Sequence, residues 1–155
     1  MLRRLVPVAL ALPVLAACGA GAPPEVTFAA GAESIVAGPT QYCQDDFVTC
    51  TNDAAAPVAL PVPPGTPLVV TVPDAVSETP WQIVFTYRDA TGEQIDERTT
   101  VFPPQQREMF SLELPADARL LTAQVQQFGP PPQIDDATGE VVFPIRSSWV
   151  LTVRQ

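Results

Sequence analysis

The sequence predicts an all-β domain built from two facing sheets, and three observations carry that prediction. Short runs of valine, leucine, isoleucine and aromatic residues alternate with polar ones at a period of two. Nineteen prolines and eight glycines punctuate the runs. No stretch carries an amphipathic helix of useful length, and Asp74–Glu78 and Pro115–Arg119 have room for one helical turn each.

Taken in order, Glu25–Ala29 (EVTFA) reads as a first strand at a sheet edge, and Ser34–Ala37 (SIVA) as a second short piece. A cysteine-bounded loop follows. Ala54–Pro67 is proline-rich and extended around Val58–Leu60. Leu68–Val72 (LVVTV) is a strand with Leu68, Val70 and Val72 on one face, ended by Pro73. Trp81–Arg88 (WQIVFTYR) gives the strongest signal. Trp81, Ile83, Phe85 and Tyr87 share one face, and Gln82, Val84, Thr86 and Arg88 share the other. In Asp89–Glu93 (DATGE), Gly92 suits the left-handed position of a bulged hairpin. Gln94–Phe102 is the return strand, and its charged centre, Asp96, Glu97 and Arg98, marks an exposed edge.

Glu108–Leu114 alternates again, with Phe110, Leu112 and Leu114 inward. Leu120–Phe128 follows, with Leu121, Ala123 and Val125 assigned to the core face. A second DATGE, Asp136–Glu140, reads as reused turn chemistry, not a domain repeat. Val141–Ile145 is a short strand, and Ser148–Arg154 closes the chain with Trp149, Leu151 and Val153 inward. The sum is an immunoglobulin-like β-sandwich of about seven to nine strands, with a small β-barrel as the alternative. A tryptophan opening a central strand, as Trp81 does, fits the sandwich. The two cysteines of the folded part are too close in sequence to be the inter-sheet bridge of antibody domains.

The first segment addresses location. Two arginines, Arg3 and Arg4, precede the apolar run Leu5–Ala16, and small residues follow. That is the pattern of an export signal. The run of about 12 residues falls short of the roughly 20 that span a bilayer, and Pro7 and Pro13 weaken it further. Leu15-Ala16-Ala17-Cys18 resembles the bacterial lipobox. The resemblance implies a diacylglycerol thioether on Cys18, which cleavage leaves as the first mature residue. The organisation is then a lipoprotein signal peptide at 1–17, a lipid-anchored tether at 18–24 and a β-sandwich domain at 25–155. Two or more acyl chains make a durable anchor.

Removing residues 1–17 leaves 138 residues, with six arginines against 17 acids and a charge of −11. The acidity disfavours nucleic acid and docking on anionic lipid. Cys43 and Cys50 would lie outside the cytoplasm and close a small loop as a disulfide, worth roughly 2–2.5 kcal/mol. A zinc or redox role fits poorly, since zinc wants four ligands and redox pairs favour C-x-x-C.

The whole pattern, from the lipobox through EVTF, GPTQYC, VPPGTPL, TPWQIVFTYRDATGE, LLTAQVQQFG and SWVLTV, resembles a family of actinobacterial lipoproteins of unknown function. The likeness implies origin and location, on the outer face of the plasma membrane. It implies no site.

Chemistry-bearing candidates are few. The chain has no histidine and no lysine, which removes the usual general base, the Schiff-base amine and the Ser-Lys dyad. Ser77, Ser111, Ser147 and Ser148 lack a base, and no G-x-S-x-G or phosphate-cradling loop is present. Asp45, Asp46, Asn52 and Asp53 offer hard oxygen ligands for calcium, but without the EF-hand order; a solvated loop is the simpler reading. No catalytic residue, cofactor or metal is expected. Tyr42, Asp45, Asp46 and Phe47 form a candidate recognition loop, since an aromatic held on a stapled loop is a contact tip; the plainer reading has Phe47 plugging one end of the sandwich. The expected partners are the membrane, through the lipid on Cys18, and an envelope protein or wall polymer. A small-ligand or lipid carrier with a pocket between the sheets is the alternative.

Overall fold

In the computed structural model, residues 21–44, 49–129 and 133–154 are described. Thirteen strands and one short helix run in the order β1 (Val26–Ala30), β2 (Glu33–Ala37), β3 (Gln41–Cys43), β4 (Cys50–Asn52), β5 (Val58–Pro61), β6 (Leu68–Thr71), α1 (Asp74–Ser77), β7 (Trp81–Arg88), β8 (Gln94–Arg98), β9 (Met109–Leu112), β10 (Arg119–Phe128), β11 (Gln133–Ile134), β12 (Val141–Val142) and β13 (Ile145–Arg154). Four of them, β3, β4, β11 and β12, are only two or three residues long. The nine longer strands stand at the upper end of the seven to nine expected, and the expected strand Val141–Ile145 is reduced to Val141–Val142, with Ile145 opening β13.

One sheet has four strands in the order β2-β1-β6-β9. The other runs β4-β3-β13-β10-β7-β8, with β5 also on β13. All pairings are antiparallel except β5 with β13, which is parallel. β13 divides one flank between two partners, β3 along Ser147–Ser148 and β5 along Leu151–Arg154. The two large sheets face each other and neither closes on itself, so the architecture is a sandwich and not a barrel. β6 lies beside β9 in one sheet while β8-β7-β10-β13 are consecutive in the other, which is the crossing order of an immunoglobulin-like sandwich.

The core fills the space between the sheets. Phe28, Leu68 and Val70 from one sheet meet Trp81, Ile83, Ala123, Val125, Trp149 and Leu151 from the other, all fully or almost fully buried. Each tryptophan also satisfies its indole N–H, Trp81 to the Arg107 carbonyl at 3.1 Å and Trp149 to the Pro24 carbonyl at 2.9 Å. Trp81 packs on Phe102 at 4.5 Å between ring centroids, and Phe102 on Phe110 at 5.0 Å. The Arg107 guanidinium lies over both of those rings at 5.2 and 5.6 Å.

Three sequence expectations are corrected. β1 is not an edge strand: it lies between β2 and β6, and β2 forms the edge. Alternation identifies the buried face of a strand but not whether both flanks are paired. Leu121 is not a core residue. The register of β10 against β7 slips between Leu120 and Thr122, so Leu121 bulges out and Leu120 takes the buried place. The strand after the first DATGE ends at Arg98, and Phe102 rejoins the sheet as an isolated bridge to Trp81. Its expected edge position holds, since β8 ends the sheet.

The strands fix two opposite ends of the sandwich. One, the near end, gathers the starts of β1, β7 and β13, the ends of β6 and β10, and helix α1, whose Ala75 carbonyl accepts from the Gln127 amide at 2.8 Å. The far end gathers the Val62–Pro67 connection, the Asp89–Glu93 turn and the Pro115–Ala118 corner.

Candidate functional site

The hairpin that carries the two cysteines of the folded part sits at the near end. β3 and β4 form a hairpin in which Cys43 faces Cys50, and the two are joined by a disulfide with 4.0 Å between Cα atoms. Gln44 N–H donates to the Thr49 carbonyl at 2.9 Å just beyond the bridge. The hairpin is bound to the start of β13 by side chains. The Gln41 amide donates to the Ile145 carbonyl at 3.1 Å, and Arg146 Nε donates to the Cys43 carbonyl at 3.2 Å. Tyr42 is half-buried, with the Arg146 guanidinium 6.0 Å above its ring. Arg146 therefore ties the hairpin to β13.

Of the other candidate recognition residues, Asp45, Asp46 and Phe47 lie outside the described residues, as does Cys18. Asp53 is described, and its carboxylate accepts from the Ala55 N–H at 2.8 Å, which makes it a turn-forming group. Among the described residues, no group of three or more histidines, cysteines or acids is placed to hold a metal ion.

Several other carboxylates have definite partners. Asp96 accepts from the Thr86 hydroxyl at 2.6 Å, and Glu97 from the Tyr87 hydroxyl at 3.3 Å. Burial raises the Tyr87 phenol above its ordinary value, and the Glu97 charge and hydrogen bond add to the rise. Asp89 accepts from the Thr91 hydroxyl at 2.7 Å and from the N–H groups of Thr91 and Glu93, which holds it below the usual carboxylate range, the Thr91 hydroxyl counting most. Asp135 is lowered by the N–H groups of Thr138 and Ala137. The two DATGE segments thus share chemistry with an offset. In the first the capping acid is the aspartate of the motif; in the second it is the residue before it. Both turns place a glycine at positive φ, Gly92 at 90° and Gly139 at 71°.

At the far end two clefts adjoin. One, of about 300 Å³, is lined by Pro61, Val62, Pro63, Pro64, Arg119, Leu120, Val153 and Arg154. The other, of about 290 Å³, shares Val62, Pro63 and Leu120 and extends to Glu113, Leu114 and Ala118. Both open to solvent at the rim of the sandwich. A larger opening, of about 800 Å³, lies between the Asp89–Gly92 turn and Asp117, Arg119 and Leu121.

The sequence signalled the disulfide and both core tryptophans. It gave no sign of β3 and β4 as strands, of the guanidinium stacks of Arg107 and Arg146, or of the far-end clefts. Those depend on which distant segments are folded together.

A family model described as a protein of unknown function, DUF2771, matches residues 20–154. No curated protein and no solved structure matches the chain.

Proposed function

Because the chain belongs to the DUF2771 family of unknown function, we propose from its own residues that it is an exported cell-envelope lipoprotein, anchored through a lipid on Cys18, whose sandwich is a non-catalytic binding or scaffolding module. The observation that carries the reading is the Cys43–Cys50 bridge across the β3–β4 hairpin, a linkage that persists outside the cytoplasm. It agrees with the export pattern of residues 1–17 and with Leu15-Ala16-Ala17-Cys18. Among the described residues no helix is long and apolar enough to cross a membrane. The binding role is supported by the residue inventory, which lacks histidine and lysine, and by carboxylates engaged in turns and strand pairs. The resemblance noted above favours an actinobacterial source and the outer face of the plasma membrane.

Crosslinking in intact cells, followed by purification of the full-length chain, tests the binding role. The expected result is a reproducible partner in the envelope, protein or wall polymer. Recovery of the chain alone would contradict it. A second reading, carriage of a small apolar ligand, draws on the adjoining far-end clefts floored by Leu120 and Val153. Native mass spectrometry of the purified protein would show a bound small molecule under that reading and the bare chain mass under the first.

A further inference from the structure

Apolar exposure on this molecule is concentrated in one place. Among the described residues eight large hydrophobic side chains are exposed, and five of them, Ile134, Val141, Val142, Phe143 and Ile145, lie on the β11–β12 hairpin and its exit into β13. Ile134 is 70%, Val141 61% and Phe143 52% exposed. Ile134 and Val141 are paired across the hairpin and share a face, and Phe143 follows just beyond the end of β12. Solvent-facing positions in a turn-rich acidic chain have no folding reason to be isoleucine, valine and phenylalanine. A contiguous set of this kind marks a contact surface.

The position of the patch identifies what it contacts. Gly129 N–H donates to the Pro144 carbonyl at 2.9 Å, and Phe128 packs edge-on to Phe143 at 6.3 Å, which fixes the hairpin to the end of β10. That is the near end. The N-terminal chain enters the sandwich there as well, with the Pro24 carbonyl held by Trp149. Pro24 stands six residues after Cys18, and six extended residues reach about 20 Å at most. A lipid on Cys18 therefore keeps the near end, and the patch with it, close to the bilayer surface. Tyr42, a residue type suited to the water–lipid boundary, stands at the same end, opposite Ser147 near the start of β13.

We propose that the hairpin face carrying Ile134 and Val141, with Phe143 beside it, docks by apolar contact, and not by charge, on the outer interface of the bilayer that holds the anchor, so that the sandwich lies against the membrane by its near end and does not swing freely on its tether. This deepens the lipoprotein reading and rests on the lipid at Cys18. The acids of the turn, Asp135, Asp136 and Glu140, stay in the head-group water; Asp135 is already turned onto its own backbone. The far-end clefts then face away from the membrane.

The test uses lipidated full-length protein, purified and reconstituted into phosphatidylcholine vesicles. V141C provides a single free thiol, with Cys43 and Cys50 bridged and Cys18 blocked by lipid; a fluorescent label there is compared with one at T91C, at the far end. Lipids with a nitroxide near the head group should quench the Val141 label several-fold more than the Thr91 label. Equal quenching, with the protein still attached to vesicles, would overturn the docking and leave the anchor standing. Protein that never enters the membrane fraction would overturn both. A Val141 label shielded from aqueous iodide but untouched by the lipid quencher would assign the patch to a second copy of the chain and so contradict the bilayer.

Discussion

At the residue scale the two tryptophans do most to define the interior. Trp81 opens β7 fully buried, and its N–H is satisfied by a carbonyl 26 residues away, so it joins strand, loop and core at one point. Trp81→Ala should cost roughly 3–5 kcal/mol, read from the midpoint of a denaturant titration. A loss within experimental error of zero would mean the ring is not packed. Both tryptophans were legible in the sequence because alternation assigns a face, and that face is buried. Gln82 and Gln127 were not legible, since pattern alone places glutamine outside. Each is buried with a specific partner, Gln82 on the Gln126 side chain at 2.9 Å and Gln127 on the Ala75 carbonyl.

Titration adds a second residue-scale prediction, with opposite signs at the two ends of the pH scale. Asp89 and Asp135 are depressed in the folded chain, so their stabilisation is present above the ordinary carboxylate range and is lost as pH falls through the depressed values. Tyr87 is raised, so its contribution is present below the ordinary phenol range and is lost as pH rises through the raised value. Thermal melts of D89N and of the native chain should converge in strong acid and separate at neutral pH. A constant separation would assign the effect to something other than the charge.

At the scale of elements, the stapled β3–β4 hairpin and the two DATGE turns govern the connections. Replacing Cys43 and Cys50 together by serine should lower stability by roughly 2–2.5 kcal/mol. Non-reducing mass spectrometry of the native protein should show the pair two hydrogens lighter, and free thiols would refute the bridge. Gly92→Ala places a side chain at φ 90° and should destabilise by about 1 kcal/mol or more, while the open space around the site rules out a steric clash as the cause. Legibility differs among the elements for a physical reason. β7 was readable because Trp81, Ile83, Phe85 and Tyr87 keep one buried face along eight positions, with Gln82 on the other face the one buried exception. β10 was misread at Leu121 because a bulge shifts parity without marking the sequence. β3 and β4 were read as a loop because three residues each are too few to show a period, and their pairing follows from the disulfide and from the flank left free by β13.

At the scale of the whole molecule the sandwich is polar in the directional sense. Its near end carries the chain entry, the disulfide hairpin and the exposed apolar hairpin, and its far end carries the proline-walled clefts and the exposed Arg119 and Arg154. The sequence showed the pieces of this arrangement, namely a signal pattern, a cysteine pair and apolar residues in a late turn. It could not show that they meet at one end, because that follows from strand order. If the account is right, the near end faces lipid and the far end is available to partners. The claim on which this rests is the modification of Cys18, and intact-protein mass spectrometry of the chain extracted from membranes, with sequencing of its N-terminal peptide, tests it most directly. The account predicts a mature chain that begins at Cys18 and carries the added mass of a diacylglyceryl group. A peptide that runs uncut through Leu15-Ala16-Ala17-Cys18-Gly19 with a free thiol would contradict it.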